Sequence, residues 1–459
     1  MLKTGNIPTI FKKQDQYFLS GNTQKIEFRQ QKLKQLKQLI IEKESEIAEA
    51  LNKDLGKCHF ESYLSEIRII KKDIDNTINN LKKWIKPRYV STPIEQFPAT
   101  ALIQPQPKGV ILIISPWNYP FSLAIMPLIG AIAAGNCAII KPSELTPNTS
   151  KVIAKIINNY FDDNYIKVIE GGKDISQKLL KENFDHIFFT GSSSIGKIVM
   201  EAAAKHLTPV TLELGGKSPC IVDKNINVKE TAKRIVWGKF LNAGQSCIAP
   251  DYLLVNQPIK SQLLEGIKEA IKTFYGEEPF HSPDYGRIIN EYHFKRLSAL
   301  LPQDNIIVGG QLIPQENYIS PTVIDHISPN SPIMEDEIFG PILPIFDYSE
   351  IEEAIAFINQ RPKPLAIYLF SNDKKQQKKI LENTRSGSVG INDTVMQYGV
   401  LSLPFGGVGN SGMGAYHGKA SFDTFSHYKS VLKRSFWFET NLRFPPYQGK
   451  LKWVKRLLG

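Results

Sequence analysis

The chain is poor in cysteine and contains no closely spaced pair of cysteines. Four occur among its 459 residues, without a CxxC motif or a metal-binding spacing: Cys58, Cys137, Cys220 and Cys247. A disulfide framework and a metal site are therefore not expected, and a reducing compartment fits better. Residues 1–21 also lack the apolar core and small-residue cleavage site of a signal peptide, so we expect a cytoplasmic protein.

Charged side chains are missing from one long stretch, residues 109–140. Its length is that of a membrane span, but Pro116, Pro120 and Pro127 interrupt it. The pattern instead predicts a strand at 110–114, a turn at 117–120, a helix at 121–134 and a strand at 137–140. Continuous apolar strands are typical of parallel sheets covered on both faces.

Strands and helices alternate along most of the chain, which predicts an α/β fold with doubly wound open sheets. Because 459 residues exceed what one hydrophobic core holds, two or three domains are expected. The alternation restarts after residue 214, which indicates two domains of this type. The first comprises residues 1–87 and 108–213, and the second residues 214–420. Residues 1–87 are predicted to form mainly two long helices, 22–52 and 62–84, and residues 88–107 an extended arm.

Cys247 lies in the small-residue segment GQSCIAP, 34 positions after Glu213. A thiol and a carboxylate on two sides of one cleft can perform covalent carbonyl chemistry. The thiolate attacks the carbonyl carbon, and the carboxylate activates the water that releases the acyl group. Taken singly, Cys247 also fits a small buried core residue, and Glu213 a surface charge at a strand end.

Two segments are compatible with a bound dinucleotide. FFTGSSSIG, 188–196, places small residues between a strand and a helix, where free N–H groups bind phosphate. Its glycine spacing is not G-x-G-x-x-G, and alone it favours a plain helix-capping loop. In KPSE, 141–144, Lys141 and Glu144 can hold a ribose, and the acid favours NAD over NADP by repelling a 2′-phosphate. A solvated ion pair is the alternative.

Seven motifs in order resemble the aldehyde dehydrogenase superfamily, most closely its class 3 branch of fatty and aromatic aldehyde dehydrogenases. The resemblance covers residues 20 to 430. The motifs are PWNYP (116–120), KPSE (141–144), FTGSSSIG (189–196), LELGGKSP (212–219), GQSC (244–247), EIFGP (337–341) and PFGGVGNSGMG (404–414).

The resemblance implies a role for each matching residue. Cys247 is the expected nucleophile, Asn118 the oxyanion donor and Glu213 the general base. The expected NAD-binding residues are Lys141, Glu144, Gly191, Ser192, Ser194, Gly196, Glu337 and Phe339, and the expected substrate tunnel contains Tyr119, Ser246, Val395 and Phe405. The first domain would then be a Rossmann-like NAD domain and the second the catalytic domain. Segments 88–107 and 421–448 would form an oligomerisation element, in a homodimer.

The last residues carry much of the positive charge. From Lys433 onward, seven Lys and Arg residues oppose one acid, Glu439, a net +6 of the chain's +11. In residues 449–459 apolar positions face basic ones at helical spacing: Leu451, Val454, Leu457 and Leu458 against Lys452, Lys455 and Arg456. Such a basic amphipathic tail is typical of peripheral contact with an anionic membrane, here on the inner face. Packing on a dimer partner is the alternative. Nucleic-acid binding is not expected, because the basic excess is confined to the tail.

The predicted function is oxidation of aldehydes to carboxylic acids through a cysteine hemithioacetal and thioester, with NAD as coenzyme and NADP as the alternative. The apolar tunnel motifs and the tail favour long apolar aldehydes, either fatty aldehydes or retinal-like apocarotenals. A catalytically silent structural protein is the main alternative, against which the intact set of Cys247, Glu213 and Asn118 argues. A coenzyme A-acylating enzyme is another, and Glu213 favours water over a thiol as acyl acceptor.

Overall fold

The computed structural model describes residues 7–302 and 304–458, apart from the side chains of Leu457 and Leu458. The helices are α1 Ile7–Leu19, α2 Ile26–Glu42, α3 Glu44–Leu55, α4 His59–Ser62, α5 Arg68–Trp84, α6 Ser122–Ala134, α7 Pro147–Asn158, α8 Lys173–Leu179, α9 Ser193–Ala204, α10 Val228–Phe240, α11 Lys260–Tyr275, α12 Glu291–Ser298, α13 Ile351–Asn359, α14 Lys374–Asn383, α15 Gly418–Thr424 and α16 Lys450–Leu458. The strands are β1 Arg88–Val90, β2 Ala99–Pro107, β3 Val110–Ile114, β4 Cys137–Lys141, β5 Ile166–Val168, β6 His186–Thr190, β7 Val210–Glu213, β8 Pro219–Val222, β9 Tyr252–Asn256, β10 Ile306–Val308, β11 Leu312–Ile313, β12 Tyr318–Ile319, β13 Thr322–Ile324, β14 Ile342–Tyr348, β15 Ala366–Phe370, β16 Ser388–Ile391, β17 Gly412–Met413 and β18 Ser426–Arg434.

A six-stranded sheet has the strand order β17-β7-β6-β3-β4-β5. Its strands are parallel except β17, which runs antiparallel to β7. The chain adds β4 and β5 on one side of β3, then β6 and β7 on the other. A crevice therefore opens at the carboxyl ends of β3 and β6, which is where open α/β sheets bind their ligands.

A seven-stranded sheet has the order β10-β13-β14-β9-β8-β15-β16 and is parallel except for β10. The two sheets confirm the predicted α/β class. The domain bounds stay a prediction, and one strand crosses them. Although β17 falls within the range expected for the second domain, it pairs with β7 of the first sheet.

The predicted extended arm, residues 88–107, forms β1 and β2 of a separate antiparallel sheet with the order β1-β2-β18. Strand β18 pairs with β2 along its whole length, from Ser426 opposite Pro107 to Arg434 opposite Ala99. Large apolar side chains of this sheet are exposed, among them Tyr89, Val90 and Leu432. The sheet therefore carries an uncovered apolar surface.

The N-terminal helices differ from the two long ones predicted. Helix α1 precedes them, and the region 22–52 divides into α2 and α3 at Lys43, whose φ of −105° and ψ of 13° are not helical. The bend lets Leu39 on one side and Ile47 on the other both reach the core. Glu44 and Glu46 follow the break, which is typical of a new helix start.

The uncharged stretch forms the centre of the six-stranded layer. All five residues of β3, all five of β4 and all thirteen of α6 are buried, although Pro127 lies inside α6. A helix buried on every side needs no polar face. No helix within the described part of the chain combines the length and apolar character needed to cross a membrane.

Candidate active site

Cys247 and Glu213 line the same cavity, which has a volume of about 330 Å³. We call it the thiol cavity. Its remaining wall is mainly apolar and aromatic, with contributions from Tyr119, Leu123, Trp237, Val395, Tyr398, Phe405 and Tyr416. The four predicted tunnel residues all lie in this wall: Tyr119, Ser246, Val395 and Phe405. The cavity therefore offers apolar space that reaches a thiol and a carboxyl group.

A sharply kinked loop after α10 presents the thiol. Asn242 and Ala243 adopt left-handed backbone conformations, with φ of 52° and 51°. At Gly244, φ is +74° and a Cβ atom would lie 2.3 Å from the carbonyl oxygen of Gly340. Only glycine is compatible with this approach. The GQSC loop is thereby packed directly against the EIFGP segment.

The Cys247 side chain is half-buried. Burial raises the pKa of the Cys247 thiol, and the nearby carboxyl groups of Glu337 and Glu213 raise it further. Such a thiol needs a proton acceptor or a positive charge before it attacks.

Glu213 ends β7, where Gly412 of β17 lies directly opposite it. Its carboxyl group is buried, and neither oxygen has a hydrogen-bond partner among the described residues. Burial raises the pKa of this carboxyl well above its ordinary value. A carboxylate with a raised pKa is a stronger base, and this one is free to bind a water molecule.

Asn118 is buried in the turn that follows β3. Hydrogen bonds join this turn to residues 241–247, the loop after α10 that carries Cys247, which we call the thiol loop. Its Nδ2 donates to the main-chain oxygen of Gln245 at 3.1 Å. Its own main-chain oxygen accepts from Asn242 Nδ2 at 2.8 Å. The turn and the thiol loop are therefore held together by hydrogen bonds in both directions.

The predicted ribose and phosphate residues lie at the carboxyl edge of the six-stranded sheet. Lys141 ends β4, and its Nζ is 2.5 Å from Glu144 Oε2. Ser192 caps α9 by accepting from the Ile195 N–H at 3.4 Å, and its hydroxyl is 3.0 Å from that of Ser194. Gly191 precedes the cap. A Cβ atom at Gly196 would lie 2.7 Å from Leu214 Cδ2, so the absence of a side chain lets α9 pack closely.

Glu337 and Phe339 contact residues that follow strands of the same sheet, Gly215 after β7 and Trp117 after β3. A Cβ atom at Gly215 would lie 1.8 Å from Glu337 Oε2, so the carboxyl group occupies the space above that glycine. Burial, with Asp251 adding to it, raises the pKa of Glu337. Phe339 has a left-handed φ of 49° and packs edge-on against Trp117 at 5.3 Å. The N-terminus of α9, a lysine–glutamate pair and a carboxyl group over a bare glycine fit a dinucleotide.

The wall of the thiol cavity also contains charged residues that no motif indicates, namely Glu61, Arg68 and Lys72. Glu61 is buried, and burial raises its pKa to about 7 although Lys57 opposes the shift. Arg68 and Lys72 lie on the first two turns of α5. These helices were assigned to the other predicted domain, and their sequence has no signal that places them beside the thiol.

Comparison with known proteins gives one family over almost the whole chain. A family model described as "Aldehyde dehydrogenase family" matches residues 6–431. The 4,4'-diaponeurosporen-aldehyde dehydrogenase of Staphylococcus aureus (strain NCTC 8325 / PS 47) is 52% identical over 441 residues, which are 96% of each chain. A Rattus norvegicus protein named "Aldehyde dehydrogenase, dimeric NADP-preferring" is 47% identical over 448 residues, 97% of this chain and 99% of that protein.

A solved structure agrees with these relatives. The one described as "Substrate bound state of Staphylococcus Aureus AldH" superimposes with a TM-score of 0.96 and 50% sequence identity, covering 99% of both chains. The similarity therefore extends over both large sheets and the segments that line the thiol cavity.

Proposed function

The chain belongs to the aldehyde dehydrogenase family, and from this premise we propose that Cys247, Asn118 and Glu213 are its catalytic residues. Their proposed roles are nucleophile, oxyanion donor and general base. The protein is an NAD(P)-dependent aldehyde oxidoreductase by family membership. One observation supports these residue roles above the others. The thiol of Cys247 and the unpartnered carboxyl group of Glu213 line one apolar cavity.

In the proposed first step, the proton of the Cys247 thiol passes to solvent water, and the thiolate sulfur bonds to the aldehyde carbon. The carbonyl oxygen becomes an oxyanion. Asn118 Nδ2 carries two hydrogens and donates one to the main-chain oxygen of Gln245. In this proposal its second hydrogen and the Cys247 N–H are donated to the oxyanion. Prepositioned donors of this kind contribute about 3 kcal/mol to transition-state stabilisation. When bound, NAD(P)⁺ supplies the acceptor for the hydride that leaves this carbon as the thioester forms.

Glu213 acts in the second step. Its carboxylate removes a proton from water, the water oxygen bonds to the thioester carbon, and the C–S bond breaks. Carboxylic acid leaves and the thiol of Cys247 is restored. Because Glu213 is the residue in the cavity wall with two unpartnered oxygens, hydrolysis is favoured over transfer to another thiol.

The coenzyme is held, in this proposal, by the residues at the sheet edge. Lys141 and Glu144 bind the adenine ribose, while Gly191, Ser192, Ser194 and Gly196 form the pyrophosphate site at α9. Glu337 binds the nicotinamide ribose, and Phe339 packs beside it. Glu144 disfavours a 2′-phosphate, so we expect a higher kcat/KM with NAD than with NADP. Equal values for the two coenzymes would contradict this assignment.

Long apolar aldehydes are the proposed substrates, either fatty aldehydes or apocarotenals. The wall of the thiol cavity supports this, because aromatic and aliphatic side chains predominate in it. The Staphylococcus aureus relative is named for 4,4'-diaponeurosporen-aldehyde. A series of aldehydes of increasing chain length tests the proposal, with kcat/KM expected to rise with length. A preference for the shortest members would contradict it.

We further propose a homodimer and a peripheral membrane contact. The exposed apolar side chains of the β1-β2-β18 sheet are suited to a second copy of the chain, and the Rattus norvegicus relative is named as dimeric. Helix α16, with Leu451 and Trp453 exposed among basic residues, is suited to an anionic lipid surface on the inner face of a membrane. Analytical ultracentrifugation of the pure enzyme measures whether it is a dimer.

The decisive experiment on the activity itself is Cys247→Ala. We expect this variant to form no NADH. Its binding of NAD, measured by the change in protein fluorescence, should be the same as that of the wild type. Cys220→Ala is the matched control, because that cysteine is buried in β8 and does not line the cavity. Substantial aldehyde turnover by Cys247→Ala would remove Cys247 from the mechanism.

A further inference from the structure

An ion pair between Lys57 and Glu66 lies beneath the turn that carries Asn118. Lys57 Nζ is 2.6 Å from Glu66 Oε1, and both side chains are completely buried. Lys57 follows α3, and Glu66 lies in the π-helical turn Tyr63–Ile67 before α5. Two charges are costly to bury unless they are paired and their remaining hydrogen-bonding capacity is used. In this pair, the further hydrogen bonds of both side chains go to the main chain of the turn that carries Asn118 and of the helix start after it.

Both members of the pair bind the main chain of the turn. Lys57 Nζ donates to the carbonyl oxygen of Asn118 at 2.9 Å. Glu66 Oε2 accepts from the N–H groups of Phe121 and Ser122 at 2.9 and 3.1 Å, where α6 begins. The cation thus binds a carbonyl on one side of the turn, and the anion binds the free N–H groups of a helix start on the other. We call the pair the turn clamp.

Lys57 also contacts the cavity wall. Its Nζ lies 4.0 Å from the centre of the Tyr119 ring, in cation–π contact. The ammonium group therefore contacts Glu66, Asn118 and Tyr119 together. Tyr119 belongs to the wall of the thiol cavity, so the same cation contacts both the oxyanion turn and the cavity wall.

We propose that Lys57 and Glu66 are positioning residues that set the Asn118 carboxamide relative to the Cys247 thiol. This inference rests on the proposed function, in which Asn118 is an oxyanion donor. Oxyanion stabilisation depends on donors that are already in place, and a misplacement of 1 Å can cost about 100-fold in rate. Neither side chain lines the thiol cavity, so each acts through the turn and not by contact with the aldehyde.

The test is a double-mutant cycle on kcat. Glu66→Gln keeps the shape and one acceptor while removing the negative charge, and Lys57→Met/Glu66→Leu replaces both charges with apolar groups of similar size. We expect each to lower kcat roughly 10-fold or more while the Kd for NAD is unchanged. In an Asn118→Ala background the same substitutions should have little further effect on kcat. A general loss of folding would instead lower kcat by the same factor in the wild-type and Asn118→Ala backgrounds.

Lys37→Met/Asp75→Leu is the matched control, because it removes an ion pair of the same 2.6 Å length from the exposed surface. Its kcat should equal that of the wild type. Equal losses in the wild-type and Asn118→Ala backgrounds, or full kcat in both turn-clamp variants, would overturn the proposal. If Asn118→Ala alone has wild-type kcat, the oxyanion role in the proposed function fails instead, and the turn-clamp variants then have no donor to act through.

Discussion

At the scale of single residues, the buried carboxyl group of Glu213 predicts which step becomes rate-limiting when it is replaced. Its oxygens are unpartnered among the described residues, and burial raises its pKa. Glu213→Gln keeps the shape of the side chain but cannot accept a proton from water. We therefore expect the acylation step to stay fast and the hydrolysis step to become slow. Rapid mixing with aldehyde and NAD should show a burst of NADH followed by a slow steady rate.

The same group predicts a pH dependence of the hydrolysis step. Because a raised pKa keeps the carboxyl protonated to higher pH, the hydrolysis rate in the wild type should increase as pH rises through that pKa. Glu213→Gln should lose this dependence. An unchanged burst and an unchanged steady rate in the variant would place the base elsewhere.

Short motifs predicted Cys247, Glu213 and the four tunnel residues of the cavity wall, but not the charged residues that helices bring to the wall and to the turn behind it. Cys247 and Glu213 were predicted because each lies beside a short run of small residues, GQSC after a helix and LELGGK at a strand end. Lys57, Glu61 and Glu66 lie in or beside helices of ordinary composition, and a helical pattern does not reveal which distant loop its buried charges will meet. Only the folded chain brings Lys57 next to Asn118.

At the scale of elements, apolar pattern predicted long buried segments best. Strands β3 and β4 and helix α6 lie within one residue of their predicted bounds. Between α11 and β14 no element was predicted, although α12 and the strands β10 to β13 occur there. These strands have two or three residues each, too few to show a period. The break at Lys43 was missed because the apolar pattern continues on both sides of it.

Helix α16 is the element for which we predict a separable role. Lys450 holds its start by donating to the carbonyl oxygens of Asn441 and Phe444, at 2.6 and 2.7 Å. The exposed side chains include Leu451, Trp453, Lys452, Lys455 and Arg456. Each Lys or Arg near an anionic surface contributes about 1 kcal/mol, attenuated by salt. Deleting residues 449–459 should therefore release the enzyme from anionic vesicles and raise the apparent KM for vesicle-borne long-chain aldehydes.

Co-sedimentation at low and high salt measures this release. Activity on a short soluble aldehyde is the internal control and should hardly change. The triple variant Lys452→Gln/Lys455→Gln/Arg456→Gln keeps the apolar face and should bind only weakly to the same vesicles. If full-length and shortened enzymes sediment equally, or neither does, α16 is better explained by packing on a partner subunit.

At the scale of the whole molecule, buried histidines link stability to pH. His417 is buried with both ring nitrogens unpartnered among the described residues, and burial lowers its pKa to about 3. The unfolded chain binds a proton near pH 6.5, whereas the folded chain does not until about pH 3. The contribution of neutral His417 is therefore present above pH 6.5 and is lost as pH falls toward 3.

His417→Phe keeps an aromatic ring beside Phe405 and removes this titration. Relative to the wild type, the free energy of unfolding of the variant should increase by about 1.4 kcal/mol for each pH unit below about 6.5. Urea unfolding at several pH values measures the difference. Parallel curves for the two proteins would show that His417 does not titrate on unfolding. The comparison also cancels Glu61, whose pKa is raised to about 7 and which acts in the opposite direction.

The overall architecture was predictable in class but not in arrangement. Alternating strands and helices indicate open α/β sheets, yet the position of each strand depends on contacts between distant segments. The pairing of β17 with β7 could not be anticipated, because a two-residue strand in GVGNSGMG resembles a loop. The pairing of β18 with β2 joins two distant segments that the family resemblance, and not the residue pattern, had grouped in one element.

These late pairings have a consequence for synthesis of the chain. The outer side of β7, which ends at Glu213, stays without a partner strand until Gly412 has left the ribosome, roughly 200 residues later. At about 5 to 20 residues per second, that delay lasts about 10 to 40 s. During this time the nascent chain displays two unpaired strand edges, on β7 and on β2, which β17 and β18 later cover. The proposed base, Glu213, thus ends a strand whose outer edge stays open to unwanted pairing until β17 has been synthesised.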